Sequence, residues 1–148
     1  MAEAAVEKVD VVGRFVEFFK TFEDESGFKY RRRIAQLALE KGISLVIDFL
    51  DLLGFDEELA NMLVERPVLV LEGASEAIKS VMQVENAEYA RQVEKFIARI
   101  SNLPENLHIP LRRLRAIHIN RLISVDGIVT RMTPVKQQLV VAVFRCKE

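Results

Sequence analysis

Basic residues are the side chains of this sequence whose type and spacing indicate chemistry, and they are concentrated in its last third. Residues 99–148 contain nine lysines and arginines against three acidic residues, a net charge of +6. Within this segment Arg131 and Lys136 lie five residues apart, on either side of Thr133-Pro134. Two cations that flank a strand turn can follow a phosphate backbone, where their binding releases counterions. They can equally keep the end of a hairpin soluble, and the spacing alone does not decide between these interpretations.

Residues that could form a catalytic or metal site are few. His108 and His118 have no cysteine or carboxylate in ligand register, so neither predicts a metal ligand or a catalytic base, and His118 is interpreted as a packing residue. Cys146 is the single cysteine and supplies at most one of the four ligands of a structural zinc site. The sequence has no G-x-x-x-x-G-K-[ST] motif, which would form a phosphate cradle for ATP. We therefore expect no catalytic residue, metal or cofactor in this chain.

Charge divides the chain into two parts. The 148 residues carry a net charge of −1, but residues 1–98 hold 12 basic and 19 acidic residues, a net of −7. An acidic part joined to a basic part indicates two modules with different partners. The longest apolar runs, such as Leu139–Phe144, are too short to cross a membrane, and the N-terminus lacks the layout of a signal peptide. We expect a soluble intracellular protein.

The acidic part predicts helices. Between residues 9 and 22 apolar residues recur at steps of three and four, which is the pattern of one buried helix face. The phenylalanines of this stretch are predicted core residues: Phe15, Phe18, Phe19 and Phe22. The run Arg31-Arg32-Arg33 lies on the next predicted helix, where successive residues point about 100° apart. The three arginines therefore cannot form a patch on one face, and we expect a solvated helix surface.

Caps and breakers locate the remaining helices. Gly42 is expected to end the second helix, and Asp56 caps a third, which stops where Pro67 opens a fourth. The β-rich run Ser44–Phe49 predicts a lone edge strand or an extended link, and Ala87–Glu94 predicts a further short helix. Four helices with short connections indicate a small bundle.

The basic part predicts strands. Phe96–Ser101 has β character, and Leu111–His118 predicts a short helix with Leu111, Leu114 and Ile117 facing inward. Two stronger strand candidates follow, Leu122–Thr130 and Gln138–Cys146, and the turn between them is Met132–Lys136. The result is an α+β prediction, with a helical bundle at residues 1–95 and an incomplete β-hairpin unit at residues 96–148.

The last stretch resembles a known family. The segments "HINRLISVDGIVTRMTPVK" and "VVAVFRC" closely resemble the start of the oligonucleotide/oligosaccharide-binding (OB) fold in minichromosome maintenance (MCM) replicative helicases, and the archaeal members are the nearest likeness. The acidic part is similar to the helical subdomain of the same family through "FVEFFKTF" and "SLVIDFLDLLGFDEELANMLVERP". The resemblance is specific in the last forty residues and weaker before them.

The resemblance implies a role in DNA replication. MCM proteins form a hexameric ring that encircles and unwinds DNA with ATP, and their N-terminal region is a non-catalytic helical subdomain followed by an OB-fold. It implies single-stranded DNA and other MCM subunits as partners, no membrane, and a nucleoid-associated cytoplasmic location. In the family a cysteine at the position of Cys146 is the first zinc ligand of an insertion, before which this chain is expected to stop. Zinc, ATP and magnesium are thus implied for the full-length family only.

The resemblance also assigns DNA contact to particular residues. By motif position, the basic residues that hold single-stranded DNA fall on Arg131 and Lys136. Secondary candidates add to the positive field, although a solvated surface is the simpler interpretation for them: Arg112, Arg113, Arg115 and Arg121. The alternative to a DNA-contacting part of a helicase is a protein–protein docking module without DNA binding, since a part with a charge of −7 would repel DNA.

Overall fold

The structure is a computed structural model that describes residues 2–137 and Val141. In chain order its helices and strands are α1 (Ala2–Thr21), β1 (Glu23–Asp24), β2 (Gly27–Phe28), α2 (Lys29–Glu40), β3 (Ser44–Asp48), α3 (Phe49–Phe55), α4 (Glu57–Glu65), α5 (Pro67–Glu85), α6 (Ala87–Gln92) and β4 (Ile97–Ser101). Three single 3₁₀ turns follow, at Glu105–Leu107, Leu111–Arg113 and Ala116–His118. The mixture of six helices and two two-stranded sheets in the described residues confirms the α+β class.

The core of the helical part forms where α1 packs along α5. The predicted core phenylalanines are all in it: Phe15, Phe18 and Phe19 are fully buried, and the partly buried Phe22 packs against them. The ring centroid of Phe18 lies 4.7 Å from that of Tyr30 on α2, so an aromatic cluster joins the first two helices. Aromatic side chains bury large apolar areas and contribute strongly to the free energy of folding. The predicted buried face of α1 is confirmed.

A parallel sheet joins two distant segments of the chain. β3 pairs with β4 in the register Ser44↔Ile97 to Asp48↔Ser101, and the N–H of Ala98 on β4 donates to Ser75 Oγ on α5. The pairing corrects the expectation that Ser44–Phe49 is a lone edge strand or a link. Parallel strands need a long crossover connection, and α3 to α6 provide it here. β4 lies beyond the boundary predicted between residues 95 and 96, and that boundary stays a prediction.

Two aspartates begin consecutive helices. The carboxylate of Asp48 accepts a hydrogen bond from the N–H of Leu50 at 2.9 Å and caps α3, a helix that the sequence pattern did not predict. Asp56 caps α4 in the same way, through the N–H of Leu59 at 3.0 Å, and this prediction is confirmed. With α3 and the separately predicted short helix α6, the four helices expected for the bundle become six in the described residues.

The helix predicted at Leu111–His118 is wrong. Two separate 3₁₀ turns occupy this segment, because Leu114 between them has an extended backbone with φ −60° and ψ 132°. A single turn has no continuous inward face. The apolar residues predicted to face inward are accordingly exposed, by 55% for Leu111, 37% for Leu114 and 74% for Ile117.

The strand predicted at Leu122–Thr130 is also wrong for the described residues, in which only Ser124 forms an isolated parallel bridge, with His108. The N–H of Leu122 donates instead to the carbonyl of Val64 near the end of α4, at 2.9 Å. The bridge at Ser124 and the hydrogen bond of Leu122 use backbone groups that a hairpin ladder would need. The other predicted strand, Gln138–Cys146, lies outside the described residues except for Val141, so the OB hairpin stays a prediction.

Candidate nucleic-acid interface

Arg131 and Lys136 lie in an irregular, solvent-exposed segment of the chain. Every residue from 125 to 137 is exposed, and Met132 and Val135 between the two cations share this exposure. Among the described residues neither cation is in an ion pair. The charges are therefore presented to solvent, where a polyanion can reach them.

The four secondary candidates are also exposed, but they have different surroundings. Arg112 and Arg113 lie on the turn that Pro110 begins, Leu111–Arg113, which is the first of the two turns in residues 111–118, here called the turn segment. Arg121 borders a cleft of about 510 Å³ between Val64 of α4 and the second of these turns, Ala116–His118. Arg115 stands apart because its guanidinium donates to backbone carbonyls of neighbouring residues, a relationship that the sequence did not reveal. The structure thus does not present the four as equivalent members of one surface.

The Arg115 guanidinium holds the turn segment together. Its Nη1 donates to the carbonyl of Arg112 at 3.2 Å and to the carbonyl of Leu114 at 2.7 Å. The N–H of Arg115 donates to Nδ1 of His118 at 3.0 Å. His118, predicted as a packing residue, is partly buried and closes the second turn. One arginine and one histidine therefore link the two 3₁₀ turns.

Two contacts, one from the turn segment and one from His108 just before it, reach the chain that leads to Arg131. A Cβ built on Gly127 would lie 3.4 Å from Cδ1 of Leu111, so the turn of Arg112 and Arg113 packs beside Gly127. His108 Nε2 lies 3.6 Å from Asp126 Oδ2, a carboxylate that the sequence spacing did not connect with this histidine. The start of the basic turn and His108 just before it therefore lie next to Gly127 and Asp126, which precede Arg131 in the chain.

The arginine run of α2 does not contribute to this surface. Arg31 Nε is 2.6 Å from Glu85 Oε1, Arg32 donates to the carbonyl of Ser26, and Arg33 donates to the carbonyl of Val46. The three side chains thus leave the helix toward different neighbours. The prediction that they cannot form one patch is confirmed.

The groups with clearly altered pKa values lie in the helical part. Burial raises the pKa of Tyr30, and its hydrogen bond to Asp51 raises it further. Burial alone would raise the pKa of Asp56, but hydrogen bonds from Arg14 and from the N–H of Leu59 outweigh it and lower that pKa. Both groups hold structural elements together. Among the described residues no three histidine, cysteine or acidic side chains are grouped as metal ligands. Nor does any described helix have the length and apolar character of a membrane span.

Comparison with family models divides the chain in two. Residues 12–102 match the model of the MCM N-terminal domain, and residues 108–148 match the model of the MCM OB domain. The first match covers the six helices and the parallel sheet, apart from the start of α1. The second covers the basic turns and the segment with Arg131 and Lys136.

Individual relatives agree with the family models. The chain is 32% identical over 144 residues to "Minichromosome maintenance protein MCM" of Saccharolobus solfataricus, with 97% of this chain and 21% of the relative covered. It is 34% identical over 145 residues to "DNA replication licensing factor mcm2" of Xenopus tropicalis, with 97% and 16% covered. For "DNA replication licensing factor Mcm5" of Drosophila melanogaster the identity is 29% over 134 residues, with 86% and 18% covered. The chain spans about a fifth or less of these relatives, which include archaeal and eukaryotic proteins.

Proposed function

Because the chain belongs to the minichromosome maintenance (MCM) family as part of its N-terminal region, we propose that it is the non-catalytic N-terminal part of a hexameric replicative helicase. In this role it contributes to ring assembly and contacts single-stranded DNA during DNA replication. The observation that carries the DNA role is the exposure of Arg131 and Lys136 in the part of the chain that the OB-domain model matches. An archaeal source would place the protein at the nucleoid in the cytoplasm.

Electrostatics supports a defined orientation toward DNA. Residues 1–98 carry a net charge of −7 and residues 99–148 carry +6. Phosphates are attracted to the basic end and repelled by the helical part, so DNA is expected to approach from the side of the basic turns. Each cation that replaces a counterion at a phosphate adds binding free energy that falls as salt rises. The helical part is left for contacts with other MCM subunits.

The proposal extends to groups that a longer chain would hold. Cys146, which lies outside the described residues, is proposed as the first zinc ligand of such a chain, because thiolate is a common ligand of structural zinc. One cysteine cannot complete a tetrahedral site, so further ligands must come from elsewhere. ATP and magnesium belong, in this proposal, to a separate motor domain of the full-length protein.

A protein–protein docking module without DNA binding is the second candidate function. The observation that favours it is the excess of acidic residues over basic ones in the helical part, 19 against 12 in residues 1–98. Such a surface suits a basic partner or a basic region of a neighbouring subunit. This function differs from the first in one measurable respect, since it requires no salt-sensitive binding of DNA.

A binding measurement with a matched control separates the two functions. We expect the chain to bind a fluorescent thymidine oligonucleotide, and the double change Arg131→Ala and Lys136→Ala to lower the affinity by roughly tenfold at low salt. The control, Arg91→Ala with Lys95→Ala, removes the same charge from two exposed residues of the acidic part. Wild-type chain that shows no binding would refute the DNA role. Self-association of that chain in static light scattering would then support docking.

A further inference from the structure

Resting on the proposed DNA contact, we propose that Arg115 is a positioning residue, and that Arg112 and Arg113 are the phosphate contacts it holds in place. The sequence offers these three arginines as equal members of a basic run. The hydrogen bonds separate them, because only Arg115 donates its guanidinium to carbonyls of its own segment.

The geometry around Arg115 explains how one side chain fixes a short turn. Single 3₁₀ turns have few hydrogen bonds of their own and are weak by themselves. Arg115 Nη1 reaches back to the carbonyl of Arg112, the middle residue of the first turn, and to the carbonyl of Leu114, the extended residue between the turns. Forward, the N–H of Arg115 is held by Nδ1 of His118 in the second turn. The path of the backbone through Arg112 and Arg113 is thus restrained by Arg115.

The turn that is held in this way packs against the segment that leads to Arg131. Leu111 opens the turn and packs on Gly127, four residues before Arg131. Arg112 and Arg113 are exposed and, among the described residues, make no ion pair that would compete for a phosphate. In this proposal a single strand bound at Arg131 continues toward Arg112 and Arg113. A preorganised cation loses less side-chain and backbone entropy on binding than one on a loose loop.

The alternative is that Arg115 itself contacts a phosphate. Lysine at this position retains a positive charge but lacks the planar fork of the guanidinium. Arg115→Lys would therefore preserve a simple charge contact and lose a positioning one. The two roles also differ in whether the effect of Arg115 depends on Arg112 and Arg113.

A double-mutant cycle tests the proposal. Affinity for a thymidine oligonucleotide is measured by fluorescence anisotropy for the wild-type chain, Arg115→Ala, Arg115→Lys, the pair Arg112→Ala with Arg113→Ala, and the triple variant. We expect Arg115→Ala and Arg115→Lys each to weaken binding by roughly threefold to tenfold in the wild-type background. In the background that lacks Arg112 and Arg113, we expect Arg115→Ala to have no effect, since nothing remains to be positioned.

A second variant tests the positioning of the turn through the other partner of Arg115. His118→Ala removes the acceptor of the Arg115 N–H and leaves every arginine in place, and we expect it to weaken binding only when Arg112 and Arg113 are present. Arg115→Lys that binds as well as wild type, or an equal loss from Arg115→Ala in both backgrounds, would overturn the positioning role. Those results leave the DNA contact itself in place, whereas wild-type chain that fails to bind overturns the proposed function.

Discussion

Arg14 on α1 and Asp56, the N-cap of α4, form a two-point ion pair: Arg14 Nε is 2.7 Å from Asp56 Oδ2 and Arg14 Nη2 is 2.5 Å from Asp56 Oδ1. The same carboxylate accepts the N–H of Leu59 in the first turn of α4. The partly buried side chain of Asp56 therefore begins α4 and also ties this helix to α1, because its partner Arg14 lies 42 residues earlier in the chain. Bidentate pairs of this kind fix orientation as well as adding free energy.

Asp56 predicts a defined dependence of stability on pH. Burial opposes its ionisation, but the bonds from Arg14 and Leu59 dominate, so its folded-state pKa lies below the ordinary 3.8. A carboxyl with a lowered folded-state pKa stabilises the fold fully above its unfolded-state value, and this contribution is lost as the pH falls through the folded-state value. We expect the free energy of unfolding to decrease below about pH 4, measured by urea denaturation.

Two substitutions separate the cap from the charge. Asp56→Ala removes both, and we expect a loss of about 2 kcal/mol at neutral pH. Asp56→Asn keeps a good N-cap and removes the charge, so its loss should be smaller. The difference in stability between wild type and Asp56→Asn should shrink as the pH falls. A difference that stays constant from neutral to acid pH is incompatible with an ionised Asp56 paired to Arg14.

A second prediction concerns the stability effect of a side chain at Gly73, where α5 packs against α1. A Cβ at this position would lie 2.6 Å from Cγ1 of Val11, whose β-branched side chain has little freedom to move. Gly73→Ala should therefore destabilise the protein by about 1–2 kcal/mol, although alanine is the better helix former. The control is Gly13→Ala on α1, where nothing lies within 4 Å of the added Cβ. It should stabilise by about 0.5–1 kcal/mol, and thermal unfolding that ranks the two variants the other way would refute the close approach.

A third prediction concerns the contribution of the buried Tyr30 hydroxyl to stability. The hydroxyl donates to Asp51 Oδ2 at 2.6 Å and accepts the N–H of Asp48 at 3.0 Å. Tyr30→Phe leaves that carboxylate and that N–H without this partner, and we expect a loss of about 2 kcal/mol. Tyr89→Phe is the matched control, because the Tyr89 hydroxyl makes one neutral bond, to the carbonyl of Gly42, and should cost about 1 kcal/mol. Equal losses would argue against the Tyr30 network.

The pKa of Tyr30 adds an alkaline test. Burial, then the bond to Asp51, raises the folded-state pKa above the ordinary 10.0. A raised folded-state pKa gives a contribution that is complete below the unfolded-state value and is lost as the pH rises above it. Wild-type stability should therefore fall above about pH 10 more steeply than that of Tyr30→Phe. Parallel pH profiles for the two proteins would contradict a buried neutral Tyr30.

Local patterns predicted the parts of this fold that local forces decide. The spacing of Phe15, Phe18 and Phe19 sufficed for the buried face of α1, and the acidic residues after Asp56 sufficed for the start of α4. The pairing of Ser44–Asp48 with Ile97–Ser101 could not be predicted in this way, because it depends on a crossover that brings two distant strands together. Asp48 is both the last residue of β3 and the N-cap of α3. The β-rich pattern of the strand runs directly into the helix, so the sequence pattern did not predict where α3 begins.

The candidate interface was predictable in charge and not in geometry. The excess of cations after residue 99 indicated a basic surface, and the exposure of Arg131 and Lys136 agrees with it. The periodicity of Leu111–His118 suggested a helix, but the extended backbone of Leu114 divides it into two turns. Only the resulting geometry shows that the Arg115 guanidinium donates to the carbonyls of Arg112 and Leu114. Charge counting cannot make that distinction, because it treats every arginine alike.

The salt dependence of DNA binding tests the central claim most directly. The affinity of the chain for a thymidine oligonucleotide would be measured from roughly 50 to 200 mM salt, for wild type, for Arg131→Ala with Lys136→Ala, and for the control Arg91→Ala with Lys95→Ala. If both cations contact phosphates, the slope of log K against log salt should become shallower by about 1.4 in the first variant, since each contact to a single strand contributes about 0.7. The control should retain the wild-type slope. Identical slopes for wild type and Arg131→Ala with Lys136→Ala would contradict DNA contact by these two residues.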